Sequence, residues 1–326
     1  MTITILDDYQ NVISKLKCFS LLNNQDVQII NTTEKDLNRL AQQIKNTDIL
    51  VLTRERTAVD GTLLSLLPRL KLISQTGKIS NHLNLEDCTK YKVAVAEGIG
   101  SPIAQAELTW ALLMNTVRQI PQAIEGMKNG NWQINIGSTI QGKTLGIWGY
   151  GKIGQKIAQY GKVFGVKVLI WGSAASRAMA VADGFEKAES KEMFFKTADI
   201  ITLHLRLNET TFGIVKESNL LSMKENSTLI NTARAELIEK GKLLKCLNMG
   251  RPTFAGLDVF EDEPIYDKNF EFLNMSNVVC TPHLGYVEQN GYELYFGKAF
   301  ENVMNFINEK TKNIDKNEIN KKKLSL

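Results

Sequence analysis

The segment TLGIWGYGKIGQKIAQYGKVFG, residues 144–165, decides the fold, because a short apolar run passes directly into a glycine-rich turn and then a helical pattern. The run TLGIW predicts a buried strand, and QKIAQYGKVFG predicts a helix. GYGKIG between them has the G-x-G-x-x-G spacing. Such glycines let a backbone approach a pyrophosphate, and the helix N-terminus supplies N–H groups and a positive dipole end. An ordinary tight turn is the alternative to a dinucleotide site formed by Gly149, Gly151, Lys152, Ile153 and Gly154.

Apolar runs recur on both sides of this segment. From residue 143 they are TLGIW, VKVLIW, ADIITL, STLIN, FAGLDVF and NVVCTP, most of them separated by helix-length stretches. In the first hundred residues they are ITIL, DVQII, DILVL, LKLIS and VAVA. Strands that alternate with helices form parallel sheets, so we predict an α/β fold with two Rossmann-like domains built on doubly wound parallel sheets. Six strands are expected in the second sheet.

One long helical pattern predicts the crossing between the domains. In SPIAQAELTWALLMNTVRQIP, Ser101 can cap, Pro102 suits the first helical position, and Pro121 closes the helix. A last helical pattern from about Gln289 to Ile307 would return the chain to the first domain. We therefore predict a discontinuous substrate (catalytic) domain, residues 1–102 and 289–326, and a dinucleotide-binding domain, residues 103–288.

Composition excludes several classes of protein. A chain of 326 residues with 43% hydrophobic content is long enough for two compact domains. Its start has no signal-peptide pattern, and no apolar run of about 18 residues occurs, so we expect a cytoplasmic protein without membrane association. Four scattered cysteines indicate reduced thiols and no metal site. The net charge of +4 lies largely in a solvated tail, residues 311–326, so no nucleic-acid partner is expected.

Polar residues that follow the apolar runs form a candidate active site, since ligands bind beyond the carboxyl ends of parallel strands. Arg234 follows STLIN, Glu263 follows AGLDVF, and His283 follows VVCTP. This set suits reduction of a 2-oxo acid, because hydride addition leaves charge on the carbonyl oxygen. His283 would be the acid and base, Glu263 would favour the imidazolium and fix its tautomer, and Arg234 would bind the carboxylate. Taken singly, each could be a surface or structural residue.

The other two histidines are weaker candidates. His204, in IITLHLRL, also follows an apolar run, but no carboxylate comes after it. We interpret it as a structural residue or as packing for the cofactor. His82 lies in a polar loop of the first domain, and its sequence context assigns it no role.

At these residues the chain resembles the D-isomer-specific 2-hydroxyacid dehydrogenases. The resemblance runs from about Asp48 to Glu301 and rests on TGKISNHLN, AELTWALLM, TLGIWGYGKIG, INTARAELI, AGLDVFEDEP and TPHLGY, in the family's order and spacing. It implies a cleft between two α/β domains, the cofactor on the central one, and a homodimer formed through that domain. It also implies that Arg234, Glu263 and His283 are the catalytic set, with Thr232, Ala233, Asp258 and Gly285 at the cofactor.

Two departures from the family pattern concern the substrate. The family's arginine is usually followed by glycine, whereas Ala235 follows Arg234 here. The substrate loop usually carries G-x-G, but here Gly77 precedes Lys78 and Ile79. Backbone N–H groups at Lys78 and Ile79 could still bind a carboxylate, and Lys78 adds a charge.

A third departure concerns the cofactor, an NAD(P)(H) dinucleotide. Gly172 stands where the family's aspartate would bind the ribose 2′-hydroxyl, and Asp183 is too far along the chain to replace it. Without that acid, no carboxylate repels the 2′-phosphate of NADPH. Ser173, Ser176 and Arg177 could then bind this phosphate. The sequence therefore favours NADP(H), with loosely discriminated NADH as the alternative.

Alternatives remain open for the substrate and for the class of protein. Arg54 follows DILVLT, where phosphoglycerate dehydrogenases of this family place an arginine for a distal phosphate. Alternatively Arg54 and Arg56 hold a loop or meet a plain carboxylate. The main prediction is an NAD(P)-dependent enzyme that reduces a small 2-oxo acid to a 2-hydroxy acid. A dinucleotide-sensing corepressor is the second, and a formate dehydrogenase is less favoured because its relatives pair the histidine with glutamine.

Overall fold

The structure is a computed structural model in which residues 1–310 are described. The chain divides into two compact units, one comprising Met1–Ser101 and the chain from Glu288, the other Pro102–Val287. Each unit contains a wholly parallel sheet with helices between its strands. The predicted α/β fold with two doubly wound sheets is confirmed.

The first unit has a five-stranded parallel sheet. Its strands are β1 (Thr2–Ile5), β2 (Asp26–Ile29), β3 (Ile49–Leu52), β4 (Leu72–Gln75) and β5 (Ala94–Ala96), in the order β2-β1-β3-β4-β5. All four residues of β3 are 0% exposed, as expected for a continuous apolar run in a parallel sheet. The helices are α1 (Leu37–Ile44), α2 (Gly61–Ser65), α3 (Leu85–Lys90) and α11 (Gln289–Lys310).

The second unit has a seven-stranded sheet. Its strands are β6 (Thr144–Trp148), β7 (Lys167–Trp171), β8 (Glu186–Lys187), β9 (Ile200–Leu203), β10 (Thr228–Asn231), β11 (Phe254–Leu257) and β12 (Val278–Cys280), in the order β12-β11-β10-β9-β6-β7-β8. Its helices are α4 (Ile103–Arg118), α5 (Ile120–Lys128), α6 (Lys152–Val163), α7 (Ala174–Ala182), α8 (Lys191–Thr197), α9 (Glu217–Leu221) and α10 (Lys242–Asn248). The order reverses between β6 and β9, which is the switch point where dinucleotides bind in such sheets.

Three local predictions need correction. The second sheet has seven strands rather than six, because β8 is a two-residue edge strand whose exposed residues form no apolar run. Pro121 does not close a helix: α4 ends at Arg118, Gln119 adopts a left-handed φ of 52°, and Pro121 lies in the first turn of α5. Pro102 precedes α4 as its N-cap residue and is therefore not its first helical residue, which is Ile103.

Other observations bear on the class of protein. None of the four cysteines forms a disulfide. Within residues 1–310 no helix combines the length and apolar character needed to cross a membrane, and no cluster of three or more metal-binding side chains occurs there. The basic tail, residues 311–326, lies outside the described residues.

Candidate active site

Three neighbouring strands of the second unit bring the acid–base candidates to one edge of the sheet. β10 pairs with β11 and β11 with β12, all in parallel. Arg234, Glu263 and His283 lie beyond the carboxyl ends of these strands, in that order. The structure therefore groups the three residues that the sequence nominated, within one unit.

His283 and Glu263 form a hydrogen-bonded pair. The Nδ1 atom of His283 lies 2.7 Å from Oε2 of Glu263, and both side chains are about 30% exposed. The other oxygen, Oε1, accepts a hydrogen bond from the backbone N–H of Phe260 at 2.8 Å, which fixes the carboxylate plane. With Nδ1 held by a carboxylate, the tautomer is set and Nε2 is the nitrogen that can exchange a proton with a substrate. This arrangement suits general acid–base catalysis.

Asp258 holds the turn that carries His283. Its carboxylate accepts hydrogen bonds from the Thr281 hydroxyl at 2.6 Å, the Leu284 N–H at 2.7 Å and the Gly285 N–H at 2.9 Å. Burial raises the pKa of the fully buried Asp258 carboxyl, while these donors and the charge of His283 oppose the rise. The carboxylate is therefore committed to internal donors, and contact of Asp258 or Gly285 with a cofactor stays a prediction.

Arg234 is fixed by its own backbone neighbours. Its NH1 group donates to the Ala233 carbonyl at 2.5 Å, and the Arg234 carbonyl accepts from the Asn231 side chain at 2.8 Å. Ala235 begins a short 3-10 helix, and it is absent from the residues with positive φ. Alanine is therefore accommodated here without backbone strain, so the departure from the family's glycine does not loosen the segment.

The β6–α6 turn has the geometry of a phosphate cradle. Gly149 adopts a left-handed φ of 105°, and a Cβ on Gly154 would lie 2.0 Å from the Gly149 carbonyl oxygen, so both positions need glycine. A Cβ on Gly151 would meet nothing within 4 Å, and no side chain caps the helix that Gly151 precedes. Open space beside uncapped N–H groups fits the pyrophosphate of a dinucleotide.

The carboxyl end of β7 carries the residues expected at the 2′ position of the ribose. Ser173 caps α7 by accepting the N–H of Ser176 at 3.2 Å, and the Arg177 guanidinium carbon lies 4.5 Å from the centroid of the Trp171 ring. Asp183 ends α7 and accepts a hydrogen bond from the Tyr150 hydroxyl at 2.7 Å. An acid at the far end of α7 does not replace the missing aspartate at Gly172.

Thr232 is tied to helix α4 by two residues that the sequence analysis did not single out. Its hydroxyl lies 2.7 Å from that of Thr109, and its carbonyl accepts from the Gln105 side chain at 2.8 Å. Ala233 donates its N–H to Asn231 at 3.0 Å. The segment after β10 is therefore rigid, and cofactor contacts of Thr232 and Ala233 stay predictions.

In the first unit, Arg54 lies beside the predicted substrate loop. A Cβ on Gly77 would lie 2.1 Å from the NH1 atom of Arg54, so the guanidinium rests against this glycine. The Arg54 N–H donates to the Thr76 hydroxyl at 2.8 Å, and its carbonyl accepts from Gln75 at 2.7 Å. Arg56 instead donates to the Asp7 carbonyl and lies over the Tyr9 ring. Arg56 thus holds a loop, while Arg54 rests against Gly77, the residue that precedes Lys78 and Ile79.

Glu97 lies directly beyond β5 and contacts this loop, although the sequence patterns did not nominate it. Its Oε2 atom lies 2.6 Å from the Lys78 ammonium, and its Oε1 atom accepts the Ile79 N–H at 3.0 Å. Glu97 follows the apolar run of β5, so the rule applied to other strand ends could have nominated it. The structure shows that Lys78 and Ile79 both contact an internal carboxylate.

The remaining histidines have structural surroundings. Burial lowers the pKa of His204 to about 3, so its ring is neutral at pH 7. Its Nε2 lies 3.0 Å from the Thr202 hydroxyl, and its carbonyl packs against Gly149 in the β6–α6 turn. His82 places Nε2 3.2 Å from Oε1 of Gln75, the residue that holds the Arg54 carbonyl.

Comparison with known proteins agrees with this geometry. Residues 110–285 match the family model described as D-isomer specific 2-hydroxyacid dehydrogenase, NAD binding domain. A glyoxylate reductase of Thermococcus litoralis is 35% identical over 256 residues, covering 76% of each chain. A D-3-phosphoglycerate dehydrogenase of Methanocaldococcus jannaschii is 34% identical over 249 residues, and the match covers 76% of this chain but only 47% of that protein. A phosphoglycerate oxidoreductase structure from Vibrio cholerae has 49% identity and a TM-score of 0.93, covering 95% of this chain and 99% of that one.

The chain belongs to the D-isomer-specific 2-hydroxyacid dehydrogenase family, since the family model covers more than half of it. The predictions of an oxidoreductase that acts on a CH–OH group, and of a nicotinamide dinucleotide as cofactor, are confirmed. The comparisons do not favour the corepressor alternative.

Proposed function

We propose that this protein reduces a small 2-oxo acid to the D-2-hydroxy acid, and catalyses the reverse oxidation, with His283 as general acid and base. The His283–Glu263 pair at 2.7 Å carries the proposal, because it lies at strand ends beside the one that bears Arg234. When bound, the nicotinamide dinucleotide supplies or accepts hydride. Residues 103–288 would bind that cofactor, and residues 1–102 with 289–326 the substrate.

Each side chain of the set has a distinct task. His283 donates a proton from Nε2 to the carbonyl oxygen during reduction and removes it during oxidation. Glu263 holds Nδ1 and stabilises the imidazolium that forms when the hydroxy acid is oxidised. Arg234 binds the substrate carboxylate with its planar fork and polarises the carbonyl. In the first unit the proposed substrate contacts are the backbone N–H of Lys78 and the side chain of Arg54, since Glu97 already accepts the Ile79 N–H.

Replacement of His283 tests the reaction. Because His283 has a left-handed φ of 53°, a conformation that asparagine tolerates, His283→Asn is the backbone-matched variant and His283→Ala the simpler one. Both should lose about 10²–10⁴-fold in turnover, the usual contribution of an acid–base group. Dinucleotide binding, followed by fluorescence quenching, should be unchanged. Near-normal turnover in both variants would show that His283 is not the acid and base.

We propose NADP(H) as the preferred cofactor. Gly172 leaves the end of β7 without an acid that would repel a 2′-phosphate. The cation–π contact with Trp171 holds the Arg177 guanidinium near this strand end. Ser173 and Ser176 add hydroxyl groups. These features support a phosphate site, and NADH use with loose discrimination remains the alternative.

The cofactor proposal is tested by kcat/KM for NADPH and NADH, with Arg177→Ala as the variant. The unaltered protein should prefer NADPH, and Arg177→Ala should lower the NADPH value about tenfold while NADH changes little. Lys196→Ala, which removes an exposed cation on α8, serves as the control. A tenfold preference for NADH, or an NADPH value untouched by Arg177→Ala, contradicts the phosphate site.

We propose a homodimer formed through the second unit, as the family resemblance implies. An apolar groove of about 350 Å³ lies along α4 and β12, and Leu273 at its margin is 50% exposed. The segment from α4 onward exposes further large apolar side chains, namely Ile103, Ile124, Met127, Trp132, Ile134 and Ile136. Light scattering should give twice the monomer mass, and Ile136→Asp should lower it.

We also propose a cytoplasmic location, supported by four cysteines outside disulfides and testable by cell fractionation.

A further inference from the structure

The segment after β5 is anchored so that it lies along the substrate loop. The Asn302 side chain, on α11 and 2% exposed, donates to the Glu97 carbonyl at 3.2 Å. The Gly98 N–H donates to the Gly77 carbonyl at 2.9 Å. A Cβ on Gly98 would lie 2.4 Å from the Gln75 carbonyl oxygen, so only glycine permits this approach. These backbone contacts hold Glu97 in place independently of its carboxylate.

The carboxylate of Glu97 then reaches two residues of the loop at once. It pairs with the Lys78 ammonium through Oε2 and accepts the Ile79 N–H through Oε1. The Glu97 side chain is 17% exposed, whereas that of Lys78 is 62% exposed. Because Glu97 is shielded and makes two contacts, this ion pair is better ordered than a pair of two exposed side chains, which usually contributes little to stability.

The contacts determine how much positive charge the loop offers. Arg54 rests against Gly77, one residue before Lys78, so two cationic side chains adjoin the same glycine. Arg56 is held by Asp7 and Tyr9 at the other side of its loop. Glu97 offsets the charge of Lys78, so this pair adds little net charge beside Gly77.

We propose that Glu97 is a specificity-determining residue that cancels the charge of Lys78, so that the site favours a 2-oxo acid with a single carboxylate over one with a second, distal anion. This inference rests on the proposed function and names its substrate class. In a partly shielded site, removing one charge a few ångströms from a bound anion changes the affinity for that anion by about tenfold. Removing the negative charge should therefore favour the doubly charged substrate.

A double-mutant cycle of Glu97→Gln and Lys78→Met tests the proposal with one matched pair of substrates. These are hydroxypyruvate and 3-phosphohydroxypyruvate, which differ only in the distal phosphate. Glu97→Gln keeps an oxygen for the Ile79 N–H and removes the charge. It should raise the ratio of kcat/KM for the phosphorylated over the plain substrate about tenfold. Lys78→Met should lower the ratio, and the double variant should return to within about threefold of the unaltered protein, since the charge sum is restored.

The opposite results overturn the proposal. An unchanged ratio in Glu97→Gln, or a double variant that behaves like Glu97→Gln alone, would show that Glu97 does not act through Lys78. Lys196→Met, which removes an exposed cation paired with Glu192 on α8, is the control and should leave the ratio unchanged.

A binding measurement separates this inference from the proposed function. If the unaltered protein turns over neither substrate, the proposed function fails, and thermal unfolding in inorganic phosphate at constant ionic strength still tests the charge argument. Phosphate should raise the Tm of Glu97→Gln more than that of the unaltered protein. Equal shifts in the two proteins would overturn the role of Glu97.

Discussion

Two candidate functional residues adopt a left-handed backbone directly beyond a strand. Arg54 follows β3 with φ 56°, and His283 follows β12 with φ 53°. Such values are uncommon outside glycine and cost free energy, so they persist where the surroundings fix them. At His283 the Asp258 carboxylate fixes the turn, and at Arg54 the side chains of Thr76 and Gln75 do. Gln119 adopts the same conformation at a helix break, so this backbone fixes where the two side chains begin but does not by itself assign them a task.

Arg54 and Arg56 form a matched pair for mutation, because they are two residues apart but have different contacts. Arg54→Ala should raise KM about tenfold for substrates with a distal anion and leave glyoxylate nearly unchanged, since a guanidinium binds phosphate or carboxylate oxygens in a bidentate manner. Arg56→Ala should instead lower the free energy of unfolding by about 1–3 kcal/mol, as it loses its bond to Asp7 and its ring contact with Tyr9. Initial rates and urea unfolding measure the two effects. An equal KM change for both substrates in Arg54→Ala would contradict a distal anion contact and place Arg54 at the carboxylate that all 2-oxo acids share.

The sequence predicted which residue types meet at the strand ends but not their hydrogen bonds. Arg234, Glu263 and His283 were recognisable because each follows an apolar run, and this pattern is visible in a single sequence. Asp258 was nominated for the cofactor, yet its three internal donors come from residues 23 to 27 positions later in the chain. Glu97 follows an apolar run and could have been nominated by the same rule, but its contacts with Lys78 and Ile79, 18 or 19 residues earlier, could not. Such long-range pairings depend on packing that periodicity does not encode.

The β6–α6 turn gives a prediction at the scale of a structural element. Gly154→Ala places a methyl group 2.0 Å from the Gly149 carbonyl, so it should destabilise the protein by about 1–3 kcal/mol or more. Gly151→Ala meets nothing within 4 Å and should fold normally. Its methyl group should nevertheless weaken dinucleotide binding about tenfold, because it fills the space where a pyrophosphate approaches. Thermal unfolding and quenching titrations separate the two. Normal binding by Gly151→Ala would argue against the cradle.

Strands were predicted where the sequence has an apolar run and missed where it has none. The five apolar runs of the first unit and six of the second all form strands. β8 was missed because two exposed residues at a sheet edge leave no apolar run. The break at Gln119 was missed because Pro121 suits either the end of one helix or the first turn of the next. Tertiary contacts decide between those two positions.

At the scale of the whole molecule, acid stability should depend on Asp48, which joins the start of β1 to the segment before β4. Its carboxylate accepts the Thr2 N–H at 3.1 Å and pairs with Arg69 at 3.1 Å and with Lys71. Burial would raise the pKa of this 3%-exposed group, but hydrogen bonds from Lys71 and Thr2, the Lys71 charge and Arg69 lower it to about 2. A pKa lowered on folding adds stability above the unfolded value of 3.8, and that stability is lost as the pH falls toward 2.

Asp48→Asn should therefore lower the free energy of unfolding by about 2 kcal/mol at pH 7, as a shift of nearly two pKa units implies. The difference from the unaltered protein should shrink as the pH falls from 4 to 2, because the protonated Asp48 no longer attracts Lys71 and Arg69. Urea unfolding at pH 7, 5, 4 and 3 measures it. Glu192→Gln breaks an exposed pair with Lys196 and is the control, expected to have little effect at any pH. A difference for Asp48→Asn that stays constant from pH 7 to 3 would show that packing, rather than charge, accounts for the contribution of Asp48.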